Sequence, residues 1–147
     1  MTIRTLLSKH ITENEPFPGA STLDEWRNQK WVKLQVGRRL IPVFPVGPIR
    51  DSLHKHDVHH VMTNYSTGWK GEFELAAWEL ASGGCHFNLL FWADRIHFLL
   101  LGLILYPKAI WKALRSGWGS KNLYSMDFSE ILDMELADLH RLLRLKS

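Results

Sequence analysis

Four histidines, His54, His56, His59 and His60, fall within seven residues of a 147-residue chain. On a helix, His56 and His60 stand at i and i+4. They share a face one turn apart, a spacing that lets two imidazoles bind one metal. Asp57 follows His56 and can add a hard oxygen ligand or orient a ligating imidazole through a hydrogen bond. Glu72 lies twelve residues beyond His60, near the start of the next expected helix. A turn that folds the two helices antiparallel would bring it back toward the pair. Two imidazoles with carboxylates form a mixed nitrogen and oxygen set, which suits zinc, iron or manganese better than calcium. Three or four protein ligands leave room for water or substrate, as a catalytic site requires. The convergence of the i,i+4 pair, the adjoining Asp and the carboxylate on the following helix favours a metal over a merely polar surface. Glu79, one heptad beyond Glu72, either supports a ligand from behind or is simply solvated. His54 and His59 project from other sides of the helix and stay out of the ligand set.

The elements that must position these residues follow from periodicity and punctuation. Residues 50–64 read as a helix that Asp51 or Ser52 could cap, ended by the turn-rich 63–68 segment. A second helix is expected from about Lys70 to Ser82, stopped by Gly83-Gly84. A third spans about 85–105 and stops before Pro107. A fourth covers about 108–116 and ends at Gly117. A last helix runs from the Asp127–Glu130 start through about Leu145, with Ile131, Leu132, Met134, Leu136, Leu139, Leu142 and Leu143 forming a broad apolar face. Upstream, Thr22–Glu25 fits a capping box. Two alternating stretches flank Gly37-Arg38 as a hairpin, with Pro42 and Pro45 confining the second strand to an edge. The expectation is a mainly α, single-domain helix bundle. Residues 1–49 form a helix and hairpin-like preface, and residues 50–147 a helical metal-binding core.

Composition bounds the function. Apolar residues make up 46% and charged residues 22%, values of a globular chain. The formal charge is +3 and acids are spread along the sequence, so no nucleic-acid partner is expected. The single cysteine, Cys85, excludes an internal disulfide and a paired-cysteine metal site. The first sixteen residues lack the apolar core of a secretory signal, so a cytoplasmic or inner-face peripheral location is expected. Residues 87–106 are strongly apolar, but Asp94, Arg95 and His97 interrupt them, and Phe98 to Tyr106 is too short to span a bilayer. A buried helix is the preferred reading, a lipid-touching surface helix the second. Trp78, Phe91, Trp92, Phe98 and Leu99–Leu105 would suit a greasy pocket, although such stripes usually form core.

The string His56-Asp57-Val58-His59-His60, eleven residues, then Glu72 resembles the motif of the coenzyme Q biosynthesis protein 4 family. The following helix, with Glu79 one heptad after Glu72, the apolar helix ending at a proline, and the late acidic-then-basic helix are similar in order. The resemblance covers roughly residues 50–145. It implies an all-helical fold and a divalent metal, zinc first, on His56, Asp57, His60 and Glu72. It further implies a prenylated aromatic or quinone-type lipid, removal of a ring carboxyl group with hydroxylation at that carbon, contact with a membrane surface, and partners in a biosynthetic complex or a homo-oligomer. The segment from Lys30 to Pro48 does not match the family's usual approach to the motif, and the chain is short for it. A non-catalytic lipid-binding scaffold with a structural metal is the alternative, as is a metal enzyme with another substrate. The same letters spell a desaturase-type histidine box, but those enzymes need several boxes and spans, and only one box is present.

Overall fold

In the computed structural model, which describes residues 1–14, 20–86 and 88–145, the chain opens with α1 (Ile3–Asn14). Its Ile3, Leu7 and Ile11, spaced four apart, form one fully buried stripe. Thr22 then starts α2 (Leu23–Asn28) by accepting the Glu25 N–H at 3.2 Å. The Glu25 carboxylate reaches back to the Ser21 N–H at 2.9 Å, one residue earlier than a standard capping box. The hairpin follows as expected. Strand β1 (Trp31–Val36) pairs antiparallel with β2 (Arg39–Pro45) around Gly37, whose φ of +62° is the value a tight two-residue turn needs. The register shifts between Val32 and Lys33, and β2 is exposed along its length.

A 3-10 turn, Gly47–Ile49, leads directly into α3 (Arg50–Thr63). Neither Asp51 nor Ser52 caps it, contrary to expectation, because the turn already delivers the backbone into helical geometry. Asp51 instead accepts from buried Lys55 at 2.6 Å, and the Ser52 hydroxyl accepts from Asn88 at 3.1 Å. Asn64, at φ +59°, ends the helix in the left-handed position. Next comes α4 (Trp69–Ala81), closed by Gly83 and Gly84. At Gly84 a Cβ would lie 2.1 Å from the Trp92 ring, so this turn needs glycine for space as well as for its φ of +73°. The third expected helix begins later than residue 85. It is α5 (Leu89–Leu105), capped by Asn88, which accepts the Phe91 N–H at 3.1 Å; position 87 lies outside the described residues. After Tyr106 comes α6 (Pro107–Gly117).

The single last helix expected from Asp127 is broken into α7 (Phe128–Asp133) and α8 (Leu136–Leu142). Met134 and Glu135 are extended, and the Met134 carbonyl accepts the Ile3 N–H at 2.9 Å while Leu136 N–H donates to the Met1 carbonyl at 3.2 Å. The chain start thus satisfies backbone groups that a continuous helix would have paired internally.

Ile3, Leu7, Ile11 and Trp26 share one core with Val58, Leu75, Trp78, Ile131 and Leu139. The molecule is a mainly α single domain with one small antiparallel hairpin among the described residues. Helix α4 is central, touching α3 on one side and α5 and α6 on another. Of α5, only Phe91, Arg95 and Gly102 are buried, so the preferred expectation of a buried helix is corrected. The helix packs inward on α4 and α6, and its outer face stays uncovered. Among the described residues no helix is long and apolar enough to cross a membrane.

Candidate metal centre

Helix α3 carries His56 and His60 on one face, and the first turn of α4 returns Glu72 to meet them. Glu72 Oε2 lies 3.2 Å from His56 Nε2, and Oε1 lies 3.0 Å from His60 Nε2. One carboxylate therefore addresses both imidazoles, one oxygen each. These three residues present ligand atoms within 4.8 Å of one another and could hold a metal ion. Both imidazoles are buried, and the Glu72 side chain is 22% exposed, which leaves the carboxylate as the outer wall of the site. A cavity of about 380 Å³ opens beside His60, lined by His10, Asn64, Tyr65 and Thr67 among others.

The far nitrogen of each imidazole is tied off. His60 Nδ1 is 3.0 Å from the Tyr65 carbonyl, which can only accept, so Nδ1 donates there and Nε2 is left pointing at Glu72 Oε1. His56 Nδ1 is 2.9 Å from Glu79 Oε1 and donates to it in the same way. This imidazole–carboxylate pairing fixes tautomer and ring orientation, the supporting arrangement of histidine metal ligands.

Glu79 is fully buried and gathers the site. Its Oε1 also receives His59 Nδ1 at 2.7 Å and the Tyr124 hydroxyl at 2.5 Å. His59 Nε2 accepts the Leu123 N–H at 3.0 Å, so His59 is neutral with its proton on Nδ1. Burial holds the His59 pKa below its ordinary value, in agreement with that tautomer. Arg95, buried from α5, lies 3.7 Å from Glu72 Oε2 and 3.6 Å from Glu79 Oε2, is paired with Asp94, and has Phe91 and Phe98 rings 5.0 Å from its guanidinium carbon.

The charges balance around this cluster. Burial, the largest influence, and Arg95 oppose a charged His56, but the Glu79 and Glu72 carboxylates together outweigh them, and the pKa is pushed up to about 10. Burial would raise Glu72, yet hydrogen bonds and charge from His56 and His60 hold it far below the usual carboxylate range. Glu79 is likewise held low by His56 and His59 against strong desolvation. A protonated His56 thus places positive charge between the Glu72 and Glu79 carboxylates.

The structure brings together three of the four expected ligands. Asp57 is buried beside them, but its Oδ2 accepts the Trp26 indole N–H at 2.7 Å, and burial raises its pKa to about 6. Its observed partner belongs to α2. Trp26 also stacks on His54, with ring centroids 4.1 Å apart, which accounts for that histidine without a metal. Tyr65 meets the site through its carbonyl, while Trp69 is exposed.

Sequence reasoning missed Arg95, His59 and Tyr124 as members of the site. Arg95 carried a signal, since a guanidinium inside an apolar helix requires buried counter-charges. Tyr124 arrives from a loop 45 positions after Glu79 and carried none. No protein-family model matches the chain, and no curated protein matches it.

Proposed function

We propose that this protein binds one divalent metal, zinc first and iron or manganese next, at His56, His60 and Glu72, with Asp57 completing or orienting the site, and uses it on a prenylated aromatic or quinone-type acid. The observation that carries the metal is the Glu72 carboxylate set between two Nε2 atoms whose opposite nitrogens are already engaged. The substrate rests on the resemblance of His56-Asp57, His60 and Glu72 to the coenzyme Q biosynthesis protein 4 motif. A divalent metal supplies Lewis acidity toward a carboxylate or a bound water. Glu79 would hold His56 in the ligating tautomer and Tyr65 would do so for His60. Arg95 would offset the carboxylates lining the site and present positive charge toward an acidic ligand. The buried imidazoles would keep bulk water from one side of it. In this reading the resemblance implies loss of a ring carboxyl group as carbon dioxide with hydroxylation at the same carbon, which balances with dioxygen and water as co-reactants and hydrogen peroxide as the second product.

Plasma mass spectrometry of the purified chain tests the metal, and native mass spectrometry for a co-purified prenyl lipid tests the ligand. One metal per chain, lost in His60→Ala and in Glu72→Ala, is the expected result. Unchanged metal content in both variants, or no metal under any loading condition, would overturn the assignment.

A further inference from the structure

The hairpin carries the whole basic excess of the protein. Residues 30–45 hold Lys30, Lys33, Arg38 and Arg39 and no acid, whereas the remaining 14 of the 18 basic residues are set against all 15 acids. Lys30, Arg38 and Arg39 are exposed and Lys33 is half-buried. None of the four is in an ion pair among the described residues. The same segment leaves Trp31, Val36, Ile41 and Val43 between 44% and 54% exposed. Val32 packs against the main core while β2 is exposed along its length, so the hairpin is rooted in the helices but stands away from them. It also lies before residues 50–145, over which the resemblance runs.

The two edges of the hairpin are not equivalent. Around a two-residue turn the flanking residues, here Val36 and Arg39, exchange both ladder hydrogen bonds, and the direction then alternates along each strand. Gln35 and Lys33 therefore turn their N–H and C=O away from β2. Opposite Lys33, Pro42 holds the matching outward position on β2 and has no N–H to offer. Proline thus closes the β2 edge to pairing. The β1 edge stays open, since no other strand pairs with it among the described residues. An open edge beside exposed apolar side chains is a template for a further strand. Charge selects that strand. Cross-strand partners share a face, so Lys33 stands on one face with Pro42, and Arg39 on the other with Val36. An added strand projects side chains to both faces and meets a cation on each, whereas a polyanion laid across one face meets only part of the charge. A second copy would bring two cationic hairpins edge to edge, which like charges oppose. We propose that the free edge of β1 binds an acidic, extended peptide segment of a partner protein by strand addition. Nothing in this surface involves the metal ligands.

The test is fluorescence anisotropy of the full-length chain with a labelled peptide of about eight residues, long enough to span β1, that mixes glutamate with valine and threonine and sets glutamates on both faces. Binding is expected, and it should weaken as salt screens the charges. Lysine in place of glutamate should abolish it. A version N-methylated at alternate residues keeps every charge but loses the donors that face β1, and it should bind about tenfold more weakly. Arg38→Gln/Arg39→Gln, both exposed, should weaken binding of the acidic peptide by about tenfold with unchanged circular dichroism. Gln35→Pro alters no charge, removes one outward N–H and should weaken it to a similar degree. Metal content measured on the same samples should be the same in all variants, which separates this surface from the proposed function. No binding of the acidic peptide, equal binding of its N-methylated version, or unchanged affinity in both variants would overturn the proposal. So would tighter binding of a single-stranded oligonucleotide of equal charge, or a dimer in solution that Gln35→Pro dissociates, because the edge would then serve another occupant.

Discussion

Glu79 concentrates three donors on a single buried oxygen, and its loss should be felt at a metal it does not touch. Glu79→Gln keeps the shape but weakens the charge that holds His56, so metal affinity should fall about 10- to 100-fold in a chelator competition assay. Proton release is a second expected signature. Metal-free His56 has its pKa pushed up to about 10 and is protonated at neutral pH, whereas a ligating imidazole must be neutral. Loading the metal at pH 7 should therefore release about one proton, and affinity should rise with pH by up to about tenfold per unit. Calorimetric titrations in buffers of different ionisation enthalpy would measure it; identical heats in all buffers would contradict it. Cys85 shows the opposite extreme. Burial, followed by the Glu79 charge, pushes its thiol up to about 12, and it lies 1% exposed. It should resist a thiol-disulfide reagent at pH 8 in the native protein and react only in denaturant. At this scale the His56–His60 pair and its approach to Glu72 were legible because helical spacing converts directly into shared faces. The partners of Glu79 were not, because Tyr124 and the Leu123 N–H come from a loop whose placement no local periodicity encodes.

Among the elements, α4 and α6 approach closely because Gly117 has no side chain. A Cβ there would stand 2.6 Å from the Trp78 carbonyl oxygen and 2.9 Å from Ala81 Cβ. The obstacle is backbone, which cannot rotate aside, so the gain of about 1 kcal/mol in helix propensity is outweighed. Gly117→Ala should destabilise by about 1–3 kcal/mol, seen as a lower urea midpoint with an unchanged slope. A rise in midpoint would show that the helices can part at no cost. The sequence placed most helices correctly because Gly, Pro and Asn punctuate them, as Gly83-Gly84, Pro107 and Asn64 do. It failed where tertiary pairing overrode local pattern. The apolar run after Asp127 reads as one helix, but Met134 and Glu135 straighten to receive the Ile3 backbone, a partner 131 positions away. Helix α3 starts at Arg50 as expected, but without the expected side-chain cap, since a preceding 3-10 turn does the work that Asp51 or Ser52 would otherwise perform.

For the whole molecule, the proposed metal would link binding to folding. His56 and His60 on α3, and Glu72 and Glu79 on α4, tie together helices that also carry Val58, Leu75 and Trp78 of the core. A metal at about 100 times its dissociation constant should stabilise the fold by about 2.7 kcal/mol, or roughly 10 °C in Tm for a chain of this size. Differential scanning fluorimetry with and without chelator measures the shift, and no shift for wild type would contradict a site formed only in the folded state. The mainly α class followed from the sequence, but the outward direction of the α5 leucines did not. A helix apolar on most of its circumference looks the same in sequence whether protein or another medium covers it. The same helix that exposes Leu100 and Ile104 directs Arg95 inward to Glu72 and Glu79, so only one helix width, about 10 Å, separates its two faces. Substitutions on the two faces should therefore separate: exposed Leu100→Ala leaves the buried charges untouched, whereas Arg95→Ala strips Glu72 and Glu79 of the guanidinium beside them.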